Sequence, residues 1–270
     1  MRSAITVALV AEMRGGPFVF SDDLAAACAK AAELGFDAVE IFPVSGDALD
    51  TGQLRLLLGK YNLRIAAVGS GAGWVKHRLH LTDPDAAVRR RAREFIGAII
   101  DFAGSFAAPA IIGSMQGRFG DGVTRAQALA WLAEALEELA PRAAAHGVPL
   151  LHEPLNRYET NLFNRVDESL SWLKSLRAQN VKLLCDLFHM NIEESRVADA
   201  LRLAGAHLGH LHFADSNRQA IGLGHTDIEP VVQALRDISY TGYISGEVFP
   251  LPDSDTAAKQ TIASFQKWFH

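Results

Sequence analysis

The chain has 270 residues, 49% hydrophobic and 21% charged, which suits one large domain (residues 1–270) with an ample core. A formal net charge of −5 and a pI of about 6.1 exclude an electrostatic hold on a nucleic-acid backbone. No apolar run approaches the ~20 residues that span a bilayer, so neither nucleic acid nor a membrane is an expected partner.

The opening stretch MRSAITVALVAEMR carries a short apolar run that Glu12 and Arg14 end before it reaches signal-peptide form; ITVALV is a buried first strand. A helical pattern over 22–34 follows, with Gly35 placed for a left-handed stop. DAVEIF is the second strand, 46–61 the second helix and RIAAVG the third strand. GSGAG (Gly69, Gly71, Gly73) then lacks the G-x-G-x-x-G spacing, and Trp74 to Leu81 does not open a helix at once. It is expected to be a flexible loop over the sheet ends rather than a dinucleotide cradle. Thr82, three residues before Asp85 with Pro84 between, predicts a cap for a helix over 84–106. On that helix Arg89, Arg90, Arg91 and Arg93 form the sole basic cluster, without interleaved aromatics, and mark a solvated face.

AIIGSM, a helix over 125–146 closed by Gly147, VPLLHE and a helix over 166–179 continue the alternation. VKLLCD, a helix over 194–204, LGHLHF, a helix over 228–238, YISGEV and a helix over 255–269 complete it. The strands are short, Val/Ile/Leu-rich and apolar on both faces, as buried parallel strands are. Eight such pairs without a Pro/Ser-rich linker predict a single (β/α)8 TIM barrel in the α/β class; a doubly wound open sheet is the rival. The two cysteines, Cys28 and Cys185, are too few for a disulfide framework and fit a reduced cytoplasm. Cys185 precedes Asp186 and therefore points away from it, into the core.

Four strand ends carry ionisable residues: Glu153, Asp186, His212 and Glu247, separated by 33, 26 and 35 positions. A barrel unit takes about 31 residues if roughly 250 cover eight of them, so each falls at a carboxyl end and all four share one mouth. Singly, each is explained by a cap, a surface charge or a satisfied core histidine. Together, three carboxylates and an imidazole repel one another without a cation between them, and unpaired buried charge is costly. The hard donor set predicts one divalent ion per chain, Mn2+ first, with Mg2+ or Co2+ as alternatives, ahead of thiolate-seeking Zn2+. Glu159, His189 and Arg218 lie in the strand-to-helix loops that follow, where a barrel places substrate-gripping groups. Asn156, Arg157, Asn191 and Asn217 share those loops, either as loop hydrogen-bonders or as substrate contacts.

HEPLNRYETNLFN, CDLFHMNIEE, HFADSNRQAIGLGHTD and GEVFP resemble the motifs of the xylose-isomerase-like TIM-barrel sugar isomerase/epimerase superfamily, and most of all its D-tagatose/D-psicose 3-epimerase group. The matching motifs run from Leu150 to Pro250; the N-terminal half fits the fold and is less diagnostic. The resemblance implies metal ligands at Glu153, Asp186, His212 and Glu247, and substrate-binding residues at Glu159, His189 and Arg218. It implies an isomerase acting on a small-molecule sugar and assembling as a homodimer or homotetramer. The implied reaction inverts C3 of a ketose or keto-sugar acid through a cis-enediolate. One of Glu153 and Glu247 removes the C3 proton and the other returns one to the opposite face, while the metal and Arg218 carry the charge.

The same scaffold admits an aldose–ketose or hydroxypyruvate-type isomerase and an inosose-type dehydratase. A DNA-repair endonuclease would need a His-rich multi-zinc cluster and a basic face, which the chain lacks. A non-enzymatic sugar-binding protein would have no use for two carboxylates on one ion. GSMQGRFGDG departs from the group: Arg118 stands near the mouth where neutral-sugar enzymes place an apolar wall. Either it meets an anionic substrate tail or it pairs with Asp121 at the surface. His77, Arg78 and His80 face either substrate or solvent.

Overall fold

In the computed structural model, which describes residues 1–269, eight parallel strands follow one another around a closed barrel. They are β1 (Arg2–Ala8), β2 (Ala38–Phe42), β3 (Arg64–Gly69) and β4 (Ala110–Ile112), then β5 (Leu150–His152), β6 (Val181–Asp186), β7 (Leu208–His212) and β8 (Tyr243–Gly246). Closure comes from β1 pairing with β8, Arg2 to Ile5 against Tyr243 to Gly246. A two-residue strand, Phe20–Ser21, takes up the free upper edge of β1 at Val7 and Ala8, drawing the first loop over the mouth.

The period of two explains which side chains reach the site. Along β6, Leu183 and Cys185 join the core between barrel and helices, whereas Leu184 joins Ala67, Ile111 and Leu151 inside the barrel. Asp186 shares Leu184's face, so Cys185 does point away from it. The long helices match the expected ones within a few residues: Leu24–Leu34, Thr51–Tyr61, Ala86–Gly104, Arg125–Ala145, Val166–Ser175, Val197–Ala204, Ile228–Asp237 and Ser254–Phe269. Gly35 ends the first of them at φ 87°, a left-handed conformation that costs glycine nothing.

Three local expectations need correction. The GSGAG segment is not a plain loop: Gly71 leads into a short helix, Ala72–His77, whose Gly73 lies so close to Met115 Sδ that any side chain there would have to displace the methionine. Another short helix, Leu187–Glu193, occupies the loop after β6. Thr82 does not cap the third long helix, Ala86–Gly104, since Asp85 Oδ1 takes the Ala87 N–H at 2.8 Å. The Thr82 hydroxyl is engaged elsewhere, accepting from Arg118 N and donating to Arg118 O, both at 2.9 Å. The basic cluster is solvated in part: Arg90 and Arg91 are exposed as expected, whereas the half-buried Arg89 stacks on Trp131 and the half-buried Arg93 pairs with Glu138 at 2.8 Å.

Candidate active site and metal centre

Glu153 and Glu247 each stand one residue beyond the last residue of β5 and β8, and Asp186 and His212 end β6 and β7. Their side chains therefore meet at one end of the barrel, with ligand atoms of all four within 4.8 Å of one another. His212 Nδ1 lies 3.6 Å from Glu153 Oε1, 3.7 Å from Asp186 Oδ2 and 3.4 Å from Glu247 Oε2. Exposure is 6% for Glu153 and Glu247 and 1% for Asp186 and His212, so water cannot solvate these charges. Local backbone makes the room: a Cβ at Gly113, after β4, would sit 2.5 Å from Glu153 Oε2.

Two atoms in this cluster, Asp186 Oδ2 and His212 Nδ1, are buried without a hydrogen-bond partner. Asp186 divides its labour, because Oδ1 caps the helix that follows by accepting the Phe188 N–H at 2.8 Å. An orphaned carboxylate oxygen and an orphaned imidazole nitrogen facing two further carboxylates are the donor set a hard divalent cation takes. The residues fit a metal.

The electrostatics point the same way. Burial pushes Glu153 up, and the nearby Glu247 adds to it. Burial would raise Asp186 too, but His189, His212 and Arg218 hold it well below the usual carboxylate range. For Glu247, His212 and Arg218 outweigh burial and hold the carboxyl down. Burial disfavours charge on His212, yet the surrounding Glu247 and Glu40 raise it well above the ordinary imidazole range. The pocket thus calls for positive charge among its carboxylates.

Below the cluster lies a pair of contacts that sequence reading missed. Glu40, on β2, accepts from His212 Nε2 at 2.9 Å and from His210 Nε2 at 2.6 Å. Since β2 and β7 do not pair, these bonds cross the barrel interior. With Nε2 donating to Glu40, Nδ1 of His212 is left as the lone pair that faces the carboxylates. The available signal was one charged residue inside the apolar run DAVEIF, and a second histidine two positions before His212.

The three residues expected to grip substrate all border the same cavity, which has a volume of about 540 Å³. Arg218 Nη2 donates to Glu247 Oε2 at 2.5 Å and lies 3.5 Å from Asp186 Oδ2, with its guanidinium over the Phe188 ring. Its Nη1 lies 3.5 Å from Glu159 Oε1. His189 Nε2 faces Asp186 Oδ2 at 3.5 Å, and Asn156 donates to His189 Nδ1 through both its backbone and its side chain. Asn156 also donates to Glu159 Oε1 at 3.0 Å, so its part is to orient two cavity residues. Arg157 is clamped by Glu193, Asn191 bonds Leu187 O and Thr226, and Asn217 bonds Leu223 O; these three hold loops.

The opposite wall is apolar, made by Met13, Phe18, Phe42, Trp74, Ile111 and Leu155. Met13 and Phe18 come from the first loop and Trp74 from the unexpected short helix, none of them legible as wall residues beforehand. Arg118 borders the cavity, exposed, and forms no ion pair among the described residues; the alternative pairing with Asp121 is absent. Of the third-loop residues, His80 lines the cavity, edge-on to Trp74 and 3.2 Å from Asp83, while His77 and Arg78 are exposed and border no part of it.

Comparison with known proteins follows the same lines. The sequence profile described as "Xylose isomerase-like TIM barrel" matches residues 28–268. An L-ribulose 3-epimerase from Methylomonas sp. is 30% identical over 267 residues, covering 96% of this chain and 92% of the relative. A D-psicose 3-epimerase from Agrobacterium fabrum is 33% identical over 226 residues, covering 82% and 77%. Among solved structures, the D-allulose 3-epimerase from Methylomonas sp. in complex with D-allulose superposes with a TM-score of 0.85 at 26% identity, covering 100% of this chain and 97% of that one.

Proposed function

The chain belongs to the xylose isomerase-like TIM-barrel family, and from that premise we propose that it is an isomerase, a divalent-metal-dependent ketose 3-epimerase. The observation that carries the reading is the meeting of two buried glutamates, Glu153 and Glu247, with two buried atoms that have no hydrogen-bond partner among the described residues, Asp186 Oδ2 and His212 Nδ1, at the floor of a cavity of sugar-binding size. Relatives named as 3-epimerases of L-ribulose and D-psicose support the substrate class, a ketose.

A divalent ion, Mn2+ by preference, held by Glu153, Asp186, His212 and Glu247 supplies Lewis acidity toward a vicinal carbonyl and hydroxyl, which acidifies the intervening C–H. The chain's own groups do the rest. One of Glu153 and Glu247 takes the C3 proton, and the other delivers a proton to the opposite face. Arg218, cationic and ion-paired with Glu247, stabilises the negative charge that develops on oxygen as the cis-enediolate forms. His189 Nε2–H and the Glu159 carboxylate bind sugar hydroxyls, and the apolar wall keeps water from the carbanionic face. Residues 1–270 act as one catalytic domain, as a homodimer or homotetramer in the cytoplasm. Light scattering that finds a monomer at micromolar concentration would remove the assembly.

Incubating the Mn2+-loaded protein with ketopentoses and ketohexoses in deuterated water tests the reaction. Epimerisation places deuterium at C3; label at C1 would instead mark an aldose–ketose isomerase, and loss of water a dehydratase.

A second reading concerns the far end of the sugar. Arg118, at the cavity rim without a carboxylate partner, favours a substrate with an anionic tail, a keto-uronate or ketose phosphate. A charge-assisted hydrogen bond contributes about 1.5–3 kcal/mol, or roughly 10- to 150-fold in specificity. Arg118→Ala should lower kcat/KM for an anionic keto-sugar by that factor and leave a neutral ketose almost untouched. A wild type that prefers a neutral ketose, with the variant unchanged, would make Arg118 a surface residue only.

A further inference from the structure

The loop after β7, residues 213–227, is the longest strand-to-helix connection that delivers a cavity residue without a helix of its own, since regular structure resumes only at Ile228. It carries Arg218, whose backbone sits at φ 59°, a left-handed conformation that is uncommon for a non-glycine residue. What holds it there is visible. Asp215 is 1% exposed, and its carboxylate gathers four backbone N–H groups from the length of the loop. Oδ1 accepts from Ser216 at 2.7 Å and Thr226 at 2.9 Å; Oδ2 accepts from Gly222 at 2.8 Å and Gly224 at 2.9 Å. The Asp215 backbone closes a turn around Arg218 as well, with its N–H on Gln219 O and its C=O taking the Arg218 N–H, both at 2.8 Å. From the other side Phe249 N donates to Arg218 O at 2.8 Å, tying the turn to the segment after Glu247.

We propose that Asp215 is a positioning residue for the reaction: its carboxylate is the hub that folds residues 216–226 into the one shape that brings the Arg218 guanidinium onto Glu247 and Asp186. It is not among the residues that line the cavity and acts through Arg218. Burial by itself would raise its pKa, and the four N–H donors hold it below the usual range, as a carboxylate kept ionised for structural bonding should be. The approach is close enough that a Cβ at Gly224 would collide with the carboxylate, so that position must be glycine while the hub is intact. Its catalytic consequence rests on the ketose 3-epimerase reading; the ordering of Arg218 does not.

Asp215→Asn tests the hub with little change of shape. An amide presents an NH2 to donors on one side, so two of the four bonds become donor against donor. Gly224→Ala crowds the same bonds from the loop side and leaves the carboxylate in place, so it serves if the first variant is poorly folded. In the protein saturated with Mg2+ and labelled with 15N, wild-type Arg218 should give a sharp Nε–H resonance, and both variants should broaden or lose it. In kinetics each variant should lower kcat for the ketose, up to about 100-fold for a misplacement on the order of 1 Å. On an Arg218→Ala background the same change should cost almost nothing, because both substitutions remove one function. A sharp, unshifted Arg218 signal in the variants, or effects that multiply in the double variant, would overturn the proposal. If the wild type turned over no ketose, the functional reading would fall and the Arg218 resonance would still decide the positioning claim.

Discussion

At the scale of single residues, the proposed reaction makes two kinds of demand on carboxylates. Glu153 and Glu247 must bind and also exchange protons. General acid–base participation is worth about 10²–10⁴-fold in rate. Glu153→Gln or Glu247→Gln, each assayed at saturating metal, should therefore lower kcat by that range without unfolding the barrel. A glutamine variant with near-normal kcat would take its residue out of the proton path. Glu40 has a different task, since two imidazole N–H groups converge on its two oxygens. Glu40→Gln keeps the volume and offers only one acceptor oxygen, so it cannot satisfy both histidines. Partners of this kind are worth about 10- to 100-fold in metal affinity, and calorimetric titration with Mn2+ should show a loss of that size. Undiminished affinity would mean that the tautomer of His212 is set by something else.

At the scale of elements, the strands were legible because a parallel barrel buries both faces and leaves uninterrupted Val, Ile and Leu runs. The four residues of the cluster were legible for a related reason: a charged residue closing such a run has nowhere to go but the mouth. Glu40 obeys the same logic one layer deeper, and in DAVEIF it passed as part of the strand. What escaped was whatever depends on contacts distant in sequence. In the helix Ala72–His77 Gly73 packs against Met115, and the Thr82 hydroxyl is taken by the Arg118 backbone while Asp85 caps the helix Ala86–Gly104. Neither partner is visible from the local sequence. The helix Leu24–Leu34 supplies a test of packing. Its Cys28 is fully buried, and burial pushes the thiol up to about 11, whereas in the unfolded chain it ionises near about 8.5. Between those values the unfolded state holds fewer protons, so this residue's contribution to stability is complete below about pH 8.5 and declines as pH rises toward 11. Urea unfolding at pH 8 and pH 10.5 should show wild type losing at most about 2–3 kcal/mol more than Cys28→Ala over that interval. Equal losses would contradict a buried, neutral thiol.

At the scale of the whole molecule, the barrel separates stability from chemistry. The body is apolar clusters between strands and helices, with small side chains such as Ala4, Ala38 and Ala66 filling one interior level. The buried ionisable groups of the cavity gather at the strand ends, with Glu40 and His210 one layer deeper in the barrel, and loops from both halves of the chain complete the cavity. That arrangement makes sense if a cation occupies the centre of the mouth, and metal content measured against turnover is the direct test. The purified, active protein should carry one divalent ion per chain; a chelator should remove ion and activity together, and added Mn2+ should restore both. A protein that epimerises a ketose at full rate with no ion bound would contradict the account at its centre.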